Sequence, residues 1–582
     1  MHFRIFRLGG WALGAAFLTS CSGPPQVEAT FRNPKAPMER RVSDLIRRMR
    51  PDEKLALIAH RGNDRLGIPA LETVAGVMGV SAKVPATAFP ANIGMAASWD
   101  PQLAEQVGTV IAQQARALGK GEVLGPLTDV SRSPLSGGVF ETYGEDPWLV
   151  SRMVIGYVTG LQGEGAIATA VLGKWGEPDR RSAREFDLRP LEAAVTEAGV
   201  WAVMLRDGNA SGVFSFLKNA LGFRGFAVFS ESGGNAIDDE VRGILRAMFA
   251  SGVFDHDAKT SDEIETPAHR AVARAAAAES IVLLKNEGGL LPLDRQKIRS
   301  LAVFGPNAAV NRMAGGNYTV AARYSAPPLA ALRELFGPGI VTPDSPADAS
   351  KADAAIVFVG TGATTEGESI DRVSLGLPAG QDELIEAVTR ANPRTIVVVI
   401  AGYPVAMDRW LDKVPVVMDA WFPGEEGGPA IADVITGAIN PSGRLPITFP
   451  AFPFGFGLSY TQFDYSDLVV MPQEVSPGQF VEVSLNIRNA GSREGKETVQ
   501  IYLHPMHSAD SVERAAQSLR GFQQVALKPG ETKHVHFTLM GDATRYFDEQ
   551  RQDWAQDQTV FEVWVGASSR DIRATGKFAT TE

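Results

Sequence analysis

The chain has 582 residues, too many for one hydrophobic core and enough for three or four domains of about 150 residues each. Hydrophobic residues make up 45% and charged residues 21%, a globular balance that excludes wholesale disorder. Acidic residues outnumber basic ones 67 to 56, giving a net charge of −11, and no basic stripe is present, so nucleic acid is not an expected partner.

The single cysteine, Cys21, rules out an intrachain disulfide and a multi-thiolate metal site. The eight histidines are scattered, and only His534 and His536 form a tight alternating pair, which reads as a strand surface rather than a ligand set. Gly315-Gly316-Asn317 is too weak a signal for a phosphate cradle. No metal and no cofactor is expected.

Residues 1–21 read as a secretory signal: His2, Arg4 and Arg7 give a basic start, and Leu8 to Leu18 is a mostly apolar run too short to span a bilayer. Leu18-Thr19-Ser20-Cys21 resembles a bacterial lipoprotein cleavage box. That likeness implies cleavage before Cys21, lipidation of Cys21 and a periplasmic protein held to the outer membrane, since Ser22 rather than Asp follows. Residues 22–37, with four prolines up to Pro37, read as a tether.

From 38 to 271, helical and strand signals alternate. Val42, Leu45, Ile46 and Met49 sit at helical spacing. Strand-like runs follow at Glu122–Leu127, Trp201–Leu205 and Phe226–Phe229, with amphipathic stretches at Leu103–Leu118 and Leu191–Ala198. This predicts parallel α/β units, in number suited to a slightly trimmed TIM-type (β/α)8 barrel.

A helix over Pro267–Glu279 leads into a second α/β domain, 272–450, built as an α/β sandwich. Its apolar runs at Ile281–Leu284, Leu301–Phe304, Ala354–Val359, Thr395–Ile400 and Val414–Ala420 suit a sheet covered on both faces. Over 451–582 the period changes to two, as in Val481–Ile487, Thr498–Leu503 and His534–Leu539. Turn signals at Asn489-Ala490-Gly491 and Pro529-Gly530 then predict a β-sandwich. The short path from Pro450 to Phe454 predicts tight docking of the last two domains.

Several linked stretches now carry a resemblance. They include Val42-Ser-Asp-Leu-Ile-Arg-Arg-Met-Arg-Pro-Asp-Glu-Lys, Ala86-Thr-Ala-Phe-Pro and Ala97-Ser-Trp-Asp. Leu124-Gly-Pro-Leu-Thr-Asp-Val-Ser-Arg-Ser-Pro and Phe140-Glu-Thr-Tyr-Gly-Glu-Asp-Pro follow. Then come Val282-Leu-Leu-Lys-Asn, Glu366-Gly-Glu-Ser-Ile-Asp-Arg, Trp421-Phe-Pro-Gly-Glu-Glu-Gly-Gly and Phe454-Gly-Phe-Gly-Leu-Ser-Tyr-Thr. In this order they resemble glycoside hydrolase family 3, the β-glucosidase-like family, over nearly the whole mature chain. Leu519-Arg-Gly-Phe and Pro529-Gly-Glu-Thr resemble its fibronectin type III-like module.

The resemblance implies retaining hydrolysis of glycosides, with a carbohydrate as partner and two carboxylates about 5–5.5 Å apart. The nucleophile position falls at Glu231 in Phe226-Ala-Val-Phe-Ser-Glu-Ser-Gly, where the family carries aspartate; this assumes one extra residue after Gly225, and a gapless match puts Ser230 there. The acid/base position is best matched by Glu368, with Glu366 as the alternative.

Other positions depart from the family. Its Asp-Gly-Pro-x-Gly is Ala75-Gly-Val-Met-Gly, and its Gly-Arg-x-Phe-Glu is Gly137-Gly-Val-Phe-Glu. Its Lys-His pair is Val171-Leu172, or Lys174-Trp175 in a shifted frame, and its Tyr-Asn falls at Asp207-Gly208. Lys174 and Asp207 remain candidates for sugar contact, as do Arg132 and Glu141, which read either as sugar ligands or as a buried ion pair. These departures imply a remodelled sugar pocket. The alternative reading is a catalytically impaired, lipid-anchored carbohydrate-binding or scaffold protein.

Overall fold

The computed structural model describes residues 29–173, 180–206, 210–228, 237–255, 264–313, 318–362, 367, 370–506, 514–556 and 558–581. The first unit opens with α1 (Met38–Arg48) and α2 (Pro51–Ile58). It continues through β1 (Thr73–Ala75), α3 (Asn92–Ala97), α4 (Pro101–Ala117), β2 (Glu122–Leu127), α5 (Pro147–Gly163) and β3 (Ile167–Leu172). It closes with α6 (Arg189–Thr196), β4 (Ala202–Leu205), α7 (Ala210–Asn219), β5 (Phe226–Val228) and α8 (Ile237–Ala250).

The five strands run parallel in sequential order, the barrel-like arrangement expected of a trimmed (β/α) unit. Period-two alternation on β3 sends Ile167 and Val171 into one core with Leu127, Phe226 and Val228. Ala168, Ala170 and Leu172 face a second core under α4 and α5.

Helix starts follow local chemistry. Asp100 caps α4, accepting from the amides of Gln102 and Leu103 at 3.0 and 3.1 Å, with Pro101 at the first helical position. Asp146 and Pro147 do the same for α5. A Cβ at Gly160 would collide with the Glu105 carbonyl, so α4 and α5 approach backbone to backbone.

The second unit contains α9 (Pro267–Ser280), β6 (Val282–Asn286), β7 (Leu301–Phe304), α10 (Pro328–Phe336), β8 (Ile340–Val341) and β9 (Ala354–Gly360). After these come α11 (Gln381–Ala391), β10 (Thr395–Ile400), β11 (Val416–Asp419) and α12 (Gly427–Thr436). The sheet order is β6-β11-β10-β9-β7-β8. All pairings are parallel except β6 on β11, so an antiparallel strand edges the sheet. Every residue of β9, β10 and β11 is buried, as two-sided coverage requires.

The third unit is a β-sandwich. One sheet holds β12 (Phe463–Met471), β14 (Val481–Asn489) and β17 (Thr532–Leu539). The other holds β13 (Glu474–Val475), β15 (Gly495–Pro505), β16 (Ser518–Leu527), β20 (Val560–Gly566) and β21 (Ile572–Thr580). A small ribbon, β18 (Tyr546–Asp548) with β19 (Asp553–Ala555), stands apart. Val481, Val483, Leu485 and Ile487 alternate inward. His534 and His536 lie on the exposed face beside Asn486 and Glu482.

The three units dock tightly. The Arg444 guanidinium meets the Glu497 carboxylate at 2.7 Å, both side chains almost wholly buried, and the Tyr465 hydroxyl donates to the same carboxylate at 2.7 Å. Arg444 donates its amide to the Ala97 carbonyl, and the Trp99 indole donates to the Arg444 carbonyl. No described helix is long and apolar enough to cross a membrane.

Candidate active site

The site-bearing face of a parallel β/α unit is the C-terminal end of its strands, because the loops that diverge there can carry polar groups while the strands stay packed. Here that face begins with Val77 and Met78 after β1, both buried, where the expected sugar-gripping aspartate position is Ala75 at the strand end. After β2 comes Thr128, whose amide and hydroxyl both donate to the Val171 carbonyl at 2.8 and 3.0 Å. The Asp129 carboxylate accepts the Gly173 amide on both oxygens, at 3.1 and 2.9 Å, and so ties the end of β2 to the end of β3. Arg206 follows β4, and its guanidinium donates to the Tyr318 hydroxyl and lies 5.7 Å from that ring. Tyr318 comes from the second unit and is buried, so this contact spans two domains.

Arg132 sits on this face as well. It pairs with Asp187 at 3.4 Å, stacks 4.9 Å over Phe186 and keeps 48% of its side chain exposed. The expected buried pair with Glu141 is therefore corrected: the partner is Asp187, because the π-helical turn Ala183–Asp187 after β3 delivers that carboxylate to the β2 loop. Glu141 lies in the turn Val139–Glu141 and is 4% exposed. Its carbonyl accepts the Asn92 side-chain amide at 2.8 Å. Val171 and Leu172 are 1% and 0% exposed inside β3 and lie in the two cores, so neither offers surface to a ligand. The shifted frame, Lys174-Trp175, lies outside the described residues, as do Asp207, Glu231, Glu366, Glu368 and Cys21.

The segment that carries the two candidate acids is nevertheless anchored by described neighbours. The Gly137 amide donates to Asp371 Oδ1 at 2.9 Å, and the Arg372 amide donates to the Leu135 carbonyl at 2.8 Å. A Cβ at Gly137 would lie 2.6 Å from the Ile370 carbonyl oxygen and closer still to that of Gly367. The second domain's loop thus lies directly on the β2 loop of the barrel.

Behind it, Arg372 lies 3.3 Å over the Tyr403 ring, and the Tyr403 hydroxyl donates to the Gly376 carbonyl at 3.0 Å. Gln381 closes the other end, accepting from and donating to the backbone of Gly360 at 2.7 and 2.9 Å. Asp129, Asp187, Arg206, Tyr318 and Asp371 were not singled out by sequence. Asp129 was within reach, because it lies inside the quoted Thr-Asp-Val-Ser-Arg stretch. Tyr318 was not, because its partner is 112 residues away in sequence.

The described contacts therefore join the loop after β2 of a parallel β/α unit to Asp371 and Arg372 of the second domain. Comparison with known proteins identifies each unit. Residues 54–233 match the glycosyl hydrolase family 3 N terminal domain, 281–490 the glycosyl hydrolase family 3 C-terminal domain, and 497–569 a fibronectin type III-like domain.

The chain belongs to glycosyl hydrolase family 3, and it is a glycoside hydrolase resembling the exo-acting β-glucosidases. It is 30% identical to a beta-xylosidase of Formosa agariphila, over 97% of this chain and 98% of that one. It is 31% identical to the thermostable beta-glucosidase B of Acetivibrio thermocellus, over 91% and 87% of the two chains. The Bifidobacterium adolescentis beta-glucosidase structure superposes with a TM-score of 0.84 at 26% identity, covering 92% of this chain and 95% of that one. The relatives that align along the whole chain are named hydrolases, so the impaired scaffold is the disfavoured reading.

Proposed function

We propose that this protein removes single sugar units from the ends of β-linked glycosides with retention of configuration, using Glu231 as nucleophile and Glu368 as acid/base, with Glu366 as the alternative acid. In this scheme Glu231 attacks the anomeric carbon while Glu368 protonates the departing oxygen. Glu368 then deprotonates the water that releases the sugar. Arg132, with its exposed guanidinium on the C-terminal face, and Glu141 serve the sugar together with Lys174 and Asp207. A glucosyl or xylosyl unit is the proposed substrate class, from the likeness to a beta-glucosidase and a beta-xylosidase.

The observation that supports the reading is the bonding of Asp371 and Arg372, next in sequence to the candidate acids, to Gly137 and Leu135 of the loop after β2. Cys21 would hold the enzyme by a lipid to the periplasmic face of the outer membrane.

The test offers aryl β-glucosides and β-xylosides to the protein lacking its first 21 residues. Hydrolysis that falls by three or more orders of magnitude in Glu231→Gln, and that in Glu368→Gln survives only for substrates with good leaving groups, supports the assignment. Full activity in Glu231→Gln removes it. Cys21→Ala is expected to move the full-length protein from the membrane fraction to the soluble fraction.

A further inference from the structure

Charge is spread unevenly over this acidic chain. Residues 29–67 fold as the turn Thr30–Arg32, α1, α2 and the loop into β1. They carry ten Lys and Arg against five Asp and Glu, while the whole chain is −11. α1 and α2 pack on α8, which lies under the strand starts: a Cβ at Gly243 would lie 2.5 Å from the Gly225 carbonyl oxygen, just before β5. The His60 ring, in the loop that leaves α2, stands edge-on to Phe226 at the start of β5. It also reaches Glu122, at the start of β2, at 3.4 Å. The basic segment is therefore the floor of the barrel, at the end of the strands opposite the C-terminal face. Lys218 and Arg224 border it, and α8 with its following turn sets Arg242 and Arg246 against Asp238, Asp239, Glu240 and Asp255; with all of these counted the floor stays positive. This basic surface corrects the expectation of none that the whole-chain charge gave.

Most acids of the floor are already paired. Glu39 meets Arg246 at 2.7 Å, Asp44 meets Arg48 at 3.1 Å and Glu53 meets Arg65 at 2.5 Å. Asp238 meets Lys54 and Asp255 meets Arg41, both at 2.6 Å. Glu240 is half-buried beside Lys218 and His60. Asp52, Asp64 and Asp239 are the exposed acids left over. Against them stand Arg32, Lys35, Arg40, Arg50 and Arg61, all exposed and without a carboxylate within 4 Å among the described residues. Arg40 and Arg47, seven residues apart, share one stripe of α1. Arg32 and Arg48 lie over the Phe31 ring at 5.3 and 5.9 Å, and the Arg65 guanidinium donates to the Arg48 carbonyl at 2.8 Å. The first turn, α1 and the loop after α2 thus present their cations together. On the same two helices Met38 and Leu55 are 41% and 54% exposed.

Each Lys or Arg near an anionic bilayer raises partition about fivefold. Exposed apolar side chains among such cations find a place in the headgroup layer, and none on a soluble polyanion. The described chain starts at Ala29, three positions before Arg32, and Cys21 lies eight positions before Ala29. Eight residues span at most about 29 Å. A lipid on Cys21 would therefore hold a bilayer next to this floor.

We propose that the floor of the barrel is a docking surface for anionic phospholipid headgroups, and that the docked protein turns its C-terminal face, with the candidate active site, away from the bilayer. The docking needs neither turnover nor a lipid on Cys21, so it stands or falls apart from both.

The protein lacking residues 1–21 is sedimented with vesicles of phosphatidylcholine, with and without phosphatidylglycerol. Binding is expected to be at least tenfold stronger to the anionic vesicles and to collapse at high salt. Reversal of Arg40, Arg47 and Arg50 together to Glu is expected to weaken it at least tenfold, with a thermal melt to show that the fold survives. The same reversal of Lys297, Lys351 and Lys528, exposed on the other two domains, changes net charge equally and is expected to leave binding intact. Amine labelling on the vesicles is expected to find Lys35 shielded and Lys83, exposed in the loop after β1 at the C-terminal face, still reactive. Equal binding to neutral vesicles, no binding to anionic ones, or equal losses from the two triple reversals overturns the proposal. So does a preference for soluble polygalacturonate over the vesicles, or shielding of Lys83 with Lys35 left reactive. The headgroup and salt dependence are read on the unsubstituted protein, so they decide the matter even if the reversed variant does not fold.

Discussion

The backbone amide of Gly137 donates to the carboxylate of Asp371 at 2.9 Å, across the boundary between the barrel and the second domain. The contact joins residues 234 positions apart and ties Asp371 of the second domain to the loop after β2. Chemistry between two carboxylates tolerates little displacement, and a misplacement near 1 Å costs roughly a hundredfold.

Gly137→Ala tests this relationship. The added methyl would overlap the carbonyls of Gly367 and Ile370, which are backbone and cannot swing aside. The loop must lift instead. The expected outcome is a fall in kcat of about ten- to a hundredfold with a change in melting temperature of only a few degrees. Steady-state kinetics beside a thermal melt check it, and an unchanged kcat means the loop height does not matter.

The Arg444–Glu497 pair predicts a stability effect of another kind. Removing one partner of a buried pair leaves the other charge uncompensated, at about 3–5 kcal/mol. Glu497→Ala strands Arg444 and also removes the acceptor of the Tyr465 hydroxyl. Glu497→Gln keeps a hydrogen-bond acceptor and should lose less. Because Arg444 also bonds Ala97 and Trp99 of the barrel, the loss is expected to loosen all three units together. Denaturant unfolding followed by tryptophan fluorescence would show a lower midpoint; an unchanged midpoint in Glu497→Ala would contradict the argument.

How much of this was legible in the sequence depends on how far the cause lies from the effect. β2, β7 and β10 begin and end where their apolar runs do, since burial on both faces writes itself into consecutive residues. The same burial hides direction, so the antiparallel setting of β6 was invisible. β1 escaped notice because three residues carry no period. β3 was obscured because Val171 and Leu172 were weighed as pocket positions, although six consecutive buried residues mark a strand.

At the site, the motif around Arg132 was visible, but its partner Asp187 was not, because only folding places the β3 turn beside the β2 loop.

Arg132 gives a third prediction. Its side chain is half exposed and its ion pair with Asp187 is long, so Arg132→Ala should cost well under 1 kcal/mol of stability. A sugar-gripping role would instead appear as a raised KM, or as a lowered kcat if the grip tightens in the transition state. Loss of stability without any kinetic change would make it a structural residue only.

The last prediction concerns pH. Burial pushes the Glu425 carboxyl up to about 7, aided by Glu265 and Glu426 nearby and opposed by the Ala88 amide and Arg270. The Ala88 amide reaches one of its oxygens at 3.0 Å, and the side chain is wholly buried. The unfolded chain releases this proton near the ordinary value of 4.5, whereas the folded protein keeps it to about 7. Between these values the native state binds more protons than the unfolded state, so stability falls as pH rises. The contribution is complete below about pH 4.5 and lost by about pH 7, amounting to on the order of 3 kcal/mol at about 1.4 kcal/mol per unit. Glu425→Gln mimics the protonated acid and cannot titrate. Its stability should exceed that of the parent at pH 8 and converge with it near pH 4.5. Parallel pH series of urea midpoints for the two proteins would show this as a difference that closes on acidification; a difference constant with pH would mean that Glu425 stays ionised in the fold.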